Sequence, residues 1–232
     1  MLRISNIKKK FNKNETVLKD VNLSFSPSTI HCIIGKNGAG KTTLFNLISS
    51  ILLPDYGEIT INGKSLRKNT YLRKSIYFVS SEPFFYENLN CKNNILLISS
   101  LYGREVSKQN ILSVLSKVGL DKTDLDKKVS NFSSGMKQKL NFACMLIVSS
   151  PIVLLDEPFN AIDQVTQRNF SNIIKELSNS GSTIIFTSHI VNTIINLAED
   201  IHVLSEGYII DERKCMDFPS EETLVEWITE VI

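Results

Sequence analysis

Long hydrophobic runs are missing from this chain of 232 residues. Its longest strongly apolar stretch, Phe142 to Val148, falls well short of the ~18–20 residues a bilayer-crossing helix needs. Any membrane work is therefore expected to go through a partner that supplies the span. The opening Met1-Leu2-Arg3-Ile4-Ser5 does not read as a signal peptide. Cysteine is scarce: four residues, at 32, 91, 144 and 215, irregularly spaced. That excludes a disulfide scaffold and closely paired metal ligands, and fits a reducing compartment. A dominant charge sign is lacking too. With 26 Lys and Arg against 24 Asp and Glu, the formal net charge is only +2. Strong nucleic-acid binders concentrate more basic charge, so no direct nucleic-acid contact is expected. Lys8-Lys9-Lys10 reads as a solvated strand end, and no internal repeat is evident. A composition 42% hydrophobic and 22% charged is that of a globular chain. Its length suits one large α/β domain with room for a subdomain.

Against ten glycines in the whole chain, three fall inside Gly35-Lys36-Asn37-Gly38-Ala39-Gly40-Lys41-Thr42. The apolar run Ile30 to Ile34 precedes this stretch, and Thr43 to Ile48 reads as a helix start. Strand, glycine-rich turn and helix form the setting a phosphate loop of the G-x-x-x-x-G-K-[ST] type requires. Glycines 35, 38 and 40 allow a tight turn with inward N–H groups, and the helix N-terminus adds partial positive charge. Lys41 can reach the β- and γ-phosphates, and the Thr42 hydroxyl can ligate Mg²⁺.

Taken in order, residues 2–11 and Val17 to Phe25 read as strands around a turn at Asn12 to Glu15. The helix from Lys41 is expected to stop near Leu53-Pro54-Asp55-Tyr56-Gly57. Glu58 to Ile61 with Asn62-Gly63 reads as a hairpin strand and its turn, and Ser75 to Ser80 as a short strand. From 88 to 150 the pattern turns helical: Cys91–Tyr102, Ser107–Val118 and Gly135–Ser149, with a polar stretch at 121–134. Strands and helices then alternate again. Strands are expected at Ile152–Leu155, Thr183–Thr187, Ile201–Leu204 and Tyr208–Asp211, and helices near Gln164–Ser178, Val191–Leu197 and from Ser220. This predicts a mainly parallel central sheet with helices on both faces and a helical insertion at 88–150.

Ile152 to Leu155 ends in Asp156-Glu157, two acids at the C-terminal end of a strand, where α/β ligands gather. Asp156 fits a Mg²⁺ ligand, and Glu157 a group that orients or deprotonates an attacking water. An apolar run before Asp-Glu is weak by itself; downstream of a phosphate loop it becomes strong. His189 follows another strand and can hydrogen-bond a γ-phosphate or the water. A solvent-facing or capping histidine fits that position equally well. His31 and His202 read as structural.

The set resembles the nucleotide-binding domain of ATP-binding cassette (ABC) proteins over essentially the whole chain. Gly35 to Thr43 matches Walker A, Val153 to Glu157 Walker B, Ala161-Ile162-Asp163 the D-loop and His189 the switch histidine. Phe132-Ser133-Ser134-Gly135-Met136 falls at the signature sequence. The resemblance implies an α/β P-loop NTPase with an antiparallel β portion near the N-terminus. Residues 1–87 and 151–232 would form the ATP-binding core, and 88–150 the helical signature subdomain. It implies ATP and Mg²⁺ as cofactors, with nucleotide contacts at Gly35, Asn37, Gly38, Ala39, Gly40, Lys41, Thr42, Thr43 and Asp163. The metal would sit at Thr42, Asp156 and Ser81, and Glu157 and His189 would act in catalysis. Phe11 matches the aromatic that stacks on adenine, usually tyrosine; a core phenylalanine is the alternative. Ser133 and Gly135 would close on the γ-phosphate of an opposite subunit.

Three departures from the family pattern stand out. Phe132 and Ser134 replace the usual leucine and glycine of the signature, and Lys137 and Lys139 supply charge usually carried by arginine. Ser81 stands where the family has a glutamine that reaches the metal and the water and joins the lobes. Serine is about two bonds shorter, so hydrolysis is expected to be slow or strongly partner-dependent. The resemblance further implies a homodimer or heterodimer of ATP-binding subunits that powers a multi-span permease. The chain would then sit peripherally at the cytoplasmic face of the cell membrane. Phe84-Phe85-Tyr86, an exposed-looking cluster, lies in the stretch that grips the permease in this family. The Ser-Gly-Met-Lys-Gln form at 134–138 resembles exporters of bacitracin, lantibiotics or other amphipathic peptides. A non-transport ABC ATPase, such as an iron–sulfur assembly subunit, is the competing reading.

Overall fold

The computed structural model describes residues 1–12, 15–160 and 162–232. Strands β1 (Leu2–Asn12) and β2 (Glu15–Phe25) run antiparallel, with Leu2 opposite Phe25 and Ile4 opposite Leu23. Lys13 and Asn14, within the turn expected at 12–15, lie outside the described residues. In β2, Val21, Leu23 and Phe25 are buried and alternate with exposed Asn22 and Ser24, the period-two pattern of a strand with one covered face. β4 (Tyr56–Ile61) pairs with the other edge of β1 and turns back into the two-residue β5 (Lys64–Ser65). The turn residues Asn62 and Gly63 have φ of 50° and 76°, the left-handed pair that a two-residue hairpin favours.

The second half of the sheet is mostly parallel. β3 (Ile30–Ile34) lies between β8 (Thr183–Thr187) and β9 (Asp200–Ser205); beyond β8 come β7 (Ile152–Leu155) and β6 (Ile76–Val79). β10 (Tyr208–Lys214) runs antiparallel to β9 and meets β2 at one parallel pair, Tyr208 with Asp20. The strand order is β5-β4-β1-β2-β10-β9-β3-β8-β7-β6. Every residue of β3 is buried. Ile33 joins the apolar cluster formed with α1 (Lys41–Ile48) and the N-terminal strands, while Cys32 and Ile34 join a larger cluster with the remaining helices. Apolar contact on both faces is why this strand reads as a hydrophobic run, interrupted only by His31.

After β6 come α2 (Cys91–Leu101), α3 (Lys108–Val118) and α4 (Ser134–Val148). Asn90 and Ser107 cap α2 and α3 by accepting the N–H of Asn93 and Asn110, and Gly119 ends α3 in the left-handed region. The polar stretch before α4 contains 3₁₀ turns at Lys122–Asp126 and Val129–Asn131. α5 (Gln164–Asn179), α6 (Val191–Leu197) and α7 (Glu221–Val231) complete the chain. Phe142 of α4 stacks on Phe170 of α5 with ring centroids 3.6 Å apart, tying α4 to the helix that follows β7.

Three expectations need correction. α1 ends at Ile48, not near Leu53. Ser50 takes a left-handed φ of 61°, and the Leu52 N–H turns back to the Asn46 carbonyl at 2.9 Å, closing the helix before Pro54 is reached. Thr70–Ser75 forms a 3₁₀ turn ahead of β6, which starts at Ile76 and not at Ser75. Phe85 is buried; only Phe84 and Tyr86 of that trio are exposed, at 80% and 55%, packed edge-to-face.

A histidine pair and four thiols are buried as well. His31 Nδ1 lies 3.1 Å from His202 Nε2, His31 Nε2 3.3 Å from the Ser26 carbonyl, and His202 Nδ1 3.0 Å from Glu212. Burial first, then His202, lowers the His31 pKa from 6.5 to about 4. All four cysteines are free and buried, and burial pushes each thiol up, Cys91 to about 12.

Candidate functional site

The chain leaves the C-terminal end of β3 and turns through 35–40 into α1. A Cβ on Gly35 would lie 2.2 Å from the Leu204 carbonyl oxygen. One on Gly40, whose φ is 105°, would lie 2.8 Å from the Leu18 side chain. The β9 backbone thus leaves no room for a side chain at 35, and at 40 the positive φ disfavours one. Gly40 is also the N-cap of α1, and no side chain caps it. The first-turn amides, without a side-chain acceptor and at the positive end of the helix, suit an anion.

Lys41 is buried, and its Nζ donates to the Gly35 and Lys36 carbonyls at 2.7 and 3.2 Å. Desolvation lowers its pKa, opposed by Glu157 and Asp156. Asp156 follows β7, one residue past Leu155. Thr42 donates to its Oδ2 at 2.8 Å and Thr187 to its Oδ1 at 2.8 Å. Glu157 takes a left-handed φ of 48°, and its N–H donates to the Thr187 hydroxyl at 2.9 Å. Glu157 Oε1 lies 3.1 Å from His189 Nε2, which is itself 3.3 Å from Lys41 Nζ. Toward Lys41 an unprotonated Nε2 accepts, and toward Glu157 a protonated Nε2 donates, so the His189 proton decides which contact is made. Apart from that His189 contact, Glu157 Oε1 is a buried acceptor with no hydrogen bond. Burial raises the Glu157 pKa, with His189 and then Lys41 pulling it back.

These groups line one cleft of about 360 Å³, with Phe11 and Val17 on the outer wall and Asn37, Gly38 and Thr43 on the loop side. Phe11 is 48% exposed, so it is no core residue. A wider cleft of about 550 Å³ lies between the end of α1 and the β4–β5 hairpin, but its walls are mostly apolar. The chemistry is in the smaller one. Gly35 and Ala39 shape the loop without lining the cleft. Ser81 is exposed past β6 and is not among the cleft residues. Ser133, also exposed, accepts the Met136 N–H at 3.2 Å as N-cap of α4, and Gly135 lies in the first turn of that helix. Asp163 caps α5, its two oxygens accepting from Thr166 at 2.9 and 2.7 Å, bonds that lower its pKa. None of Ser133, Gly135 and Asp163 reaches the cleft of its own chain. Ala161 of the 161–163 motif lies outside the described residues.

The sequence reading missed Val17 and Glu15 in the wall, and Thr187, which is bonded to Asp156 and Glu157. Thr187 had a readable signal: a hydroxyl closing an apolar strand, two residues before His189. For Mg²⁺ the donors fit, since the Thr42 hydroxyl and the Asp156 carboxylate converge as hard oxygens. Among the described residues no group of three or more His, Cys, Asp or Glu could hold a metal by itself. Such a site suits an ion that takes most of its ligands from phosphate and water.

Comparison with known proteins gives the family and the fold. The family described as "ABC transporter" matches residues 18–160. The chain is 36% identical over 214 residues to the lantibiotic transport ATP-binding protein SrtF of Streptococcus pyogenes, covering 92% of this chain and 91% of that one. It is 30% identical to the bacitracin transport ATP-binding protein BcrA of Enterococcus faecalis, covering 91% and 68%. The solved dimeric ATP-binding cassette MJ0796 superposes with a TM-score of 0.85 at 26% identity, over 93% of this chain and 99% of that one. The chain belongs to the ABC transporter family, as an ATP-binding subunit with the P-loop NTPase fold.

Proposed function

We propose that this chain hydrolyses ATP in the cleft above the 35–43 loop and thereby drives a separately encoded membrane permease. The transported class would be peptides or other amphipathic compounds, and the direction export. The observation that carries hydrolysis is Glu157 Oε1, buried beside the phosphate cradle without a hydrogen bond and 3.1 Å from His189 Nε2. An acceptor held there can orient a water and take its proton as the water attacks phosphorus. A raised pKa suits a base working near neutral pH. The loop amides and Lys41 bind the phosphates, and Phe11 offers a ring face to the base. Thr42 and Asp156 would hold Mg²⁺, which when bound neutralises charge on the β- and γ-phosphate oxygens. His189 Nε2 stands beside Glu157 and supports the water or the γ-phosphate.

Ser133 and Gly135 lie on another face of the chain at the start of α4, and we read them as completing the cleft of a second copy. The dimeric MJ0796 cassette supports that arrangement. Residues 88–150 would then act as the signature unit and 1–87 with 151–232 as the ATP-binding core. Among the described residues no helix is long and apolar enough to cross a membrane, which is compatible with a permease supplied by another chain. A peripheral position at the cytoplasmic face follows from that reading. Export is supported by relatives named for lantibiotic transport, bacitracin transport and linearmycin resistance. Glu157→Gln tests the core of the proposal: ATP binding is kept, steady-state hydrolysis falls by about 100-fold or more, and chromatography with ATP shows a dimer. Unchanged turnover in that variant overturns the assignment.

A further inference from the structure

Resting on the assignment of Glu157 to hydrolysis, we infer that Thr187 is the positioning residue that holds Asp156 and Glu157 in their working arrangement. Thr187 is the last residue of β8. In the register of β8 against β7, Leu155 pairs with Phe186, so Thr187 stands beside the point where β7 gives way to Asp156. Its hydroxyl carries one proton and free lone pairs. It donates the proton to Asp156 Oδ1 at 2.8 Å and accepts the Glu157 N–H at 2.9 Å. With 0% exposure, the hydroxyl has no solvent to replace those bonds. Both acids therefore hang on one atom.

Each bond answers a need of the site. Asp156 Oδ2 faces Thr42; with Thr187 on Oδ1 the carboxylate is pinned from both sides and cannot rotate freely. Glu157 has a φ of 48°, a region costly for a residue with a Cβ. The bond from its N–H to Thr187 holds that conformation and so sets where the Glu157 side chain enters the cleft. Thr42, Asp156, Thr187 and the Glu157 backbone make one connected run from the phosphate loop to the base. A side chain needed at 187 only for packing would be served as well by valine, which has the same shape and favours strands.

The test compares Thr187→Val and Thr187→Ser with the wild type and Glu157→Gln, all as full chains. Readouts are steady-state ATPase, binding of a fluorescent ATP analogue and the melting temperature. Valine leaves two buried groups unpaired, and we expect kcat to fall about 10- to 100-fold while KM and analogue affinity stay within about 3-fold. Serine keeps the hydroxyl and should stay within about 3-fold of wild type in kcat. If valine turns over like wild type while Glu157→Gln is inactive, the role of Thr187 is overturned and that of Glu157 stands. Serine failing as badly as valine also overturns it. If Glu157→Gln hydrolyses normally, the underlying assignment is what fails. Should the valine variant not fold, Thr187→Ala is judged by the same criteria.

Discussion

Acid is expected to destabilise this protein through one buried imidazole. His31 is 1% exposed, and burial with the neighbouring His202 lowers its pKa from 6.5 to about 4. In the unfolded chain the ring takes up a proton near 6.5; in the folded chain it does so only near 4. Between those values the unfolded state binds more protons, so stability rises with pH and is lost as pH falls through the window. The gap between 6.5 and about 4 amounts to about 3 kcal/mol at ~1.4 kcal/mol per pH unit. That is a large part of a typical net stability of roughly 5–15 kcal/mol. It is fully present above pH 6.5 and gone by about pH 4. The measurement is urea unfolding from about pH 7 to about pH 4 for wild type and His31→Gln. Glutamine cannot titrate but keeps an amide donor for the Ser26 carbonyl. Asp200, 3.4 Å from His31, and Glu212, bonded to His202, are present in both chains. Near neutral pH the variant should be less stable by about 1–3 kcal/mol. Toward pH 4 that penalty should shrink by about 3 kcal/mol and change sign. Stability curves that stay parallel across the window refute the reasoning.

Two further outcomes are expected. Phe170→Ala removes a fully buried ring stacked on Phe142 and should cost about 3–5 kcal/mol in denaturant unfolding; a loss under about 1 kcal/mol shows that the stack does not join α4 to α5. Ser81→Gln lengthens the side chain past β6 and should raise basal ATPase and its response to the permease. If neither changes, Ser81 does not limit the reaction.

The phosphate loop was legible because its causes are local. Glycine spacing, the apolar strand before it and the helix after it lie within one short stretch, and the structure keeps all three. The Asn62-Gly63 hairpin was legible for the same reason. The end of α1 was not, since its stop comes from a left-handed serine and a returning N–H, neither marked by glycine or proline. Long-range pairing was hidden as well. Nothing in the sequence places His31 against His202, or brings β10 to β2 through a single residue pair. In the site, Asp156, Glu157 and His189 could be named from strand ends, because strands in a parallel sheet deliver their C-terminal ends to one edge. Thr187 escaped notice because its role depends on a hydroxyl reaching sideways to the next strand. Asp163 shows the converse: a motif position whose carboxylate caps α5 within its own chain.

The four buried cysteines have a practical meaning. Burial pushes every one of these thiols up, so the thiolate, the form that attacks alkylating reagents, is scarce at neutral pH. The natural chain is therefore a quiet background for thiol labelling while it stays folded. A cysteine introduced at exposed Ser133, with another at the rim of the phosphate loop, would be the reactive pair on each copy. A cross-link between copies would then record whether the two surfaces meet, with the native thiols left out of the readout.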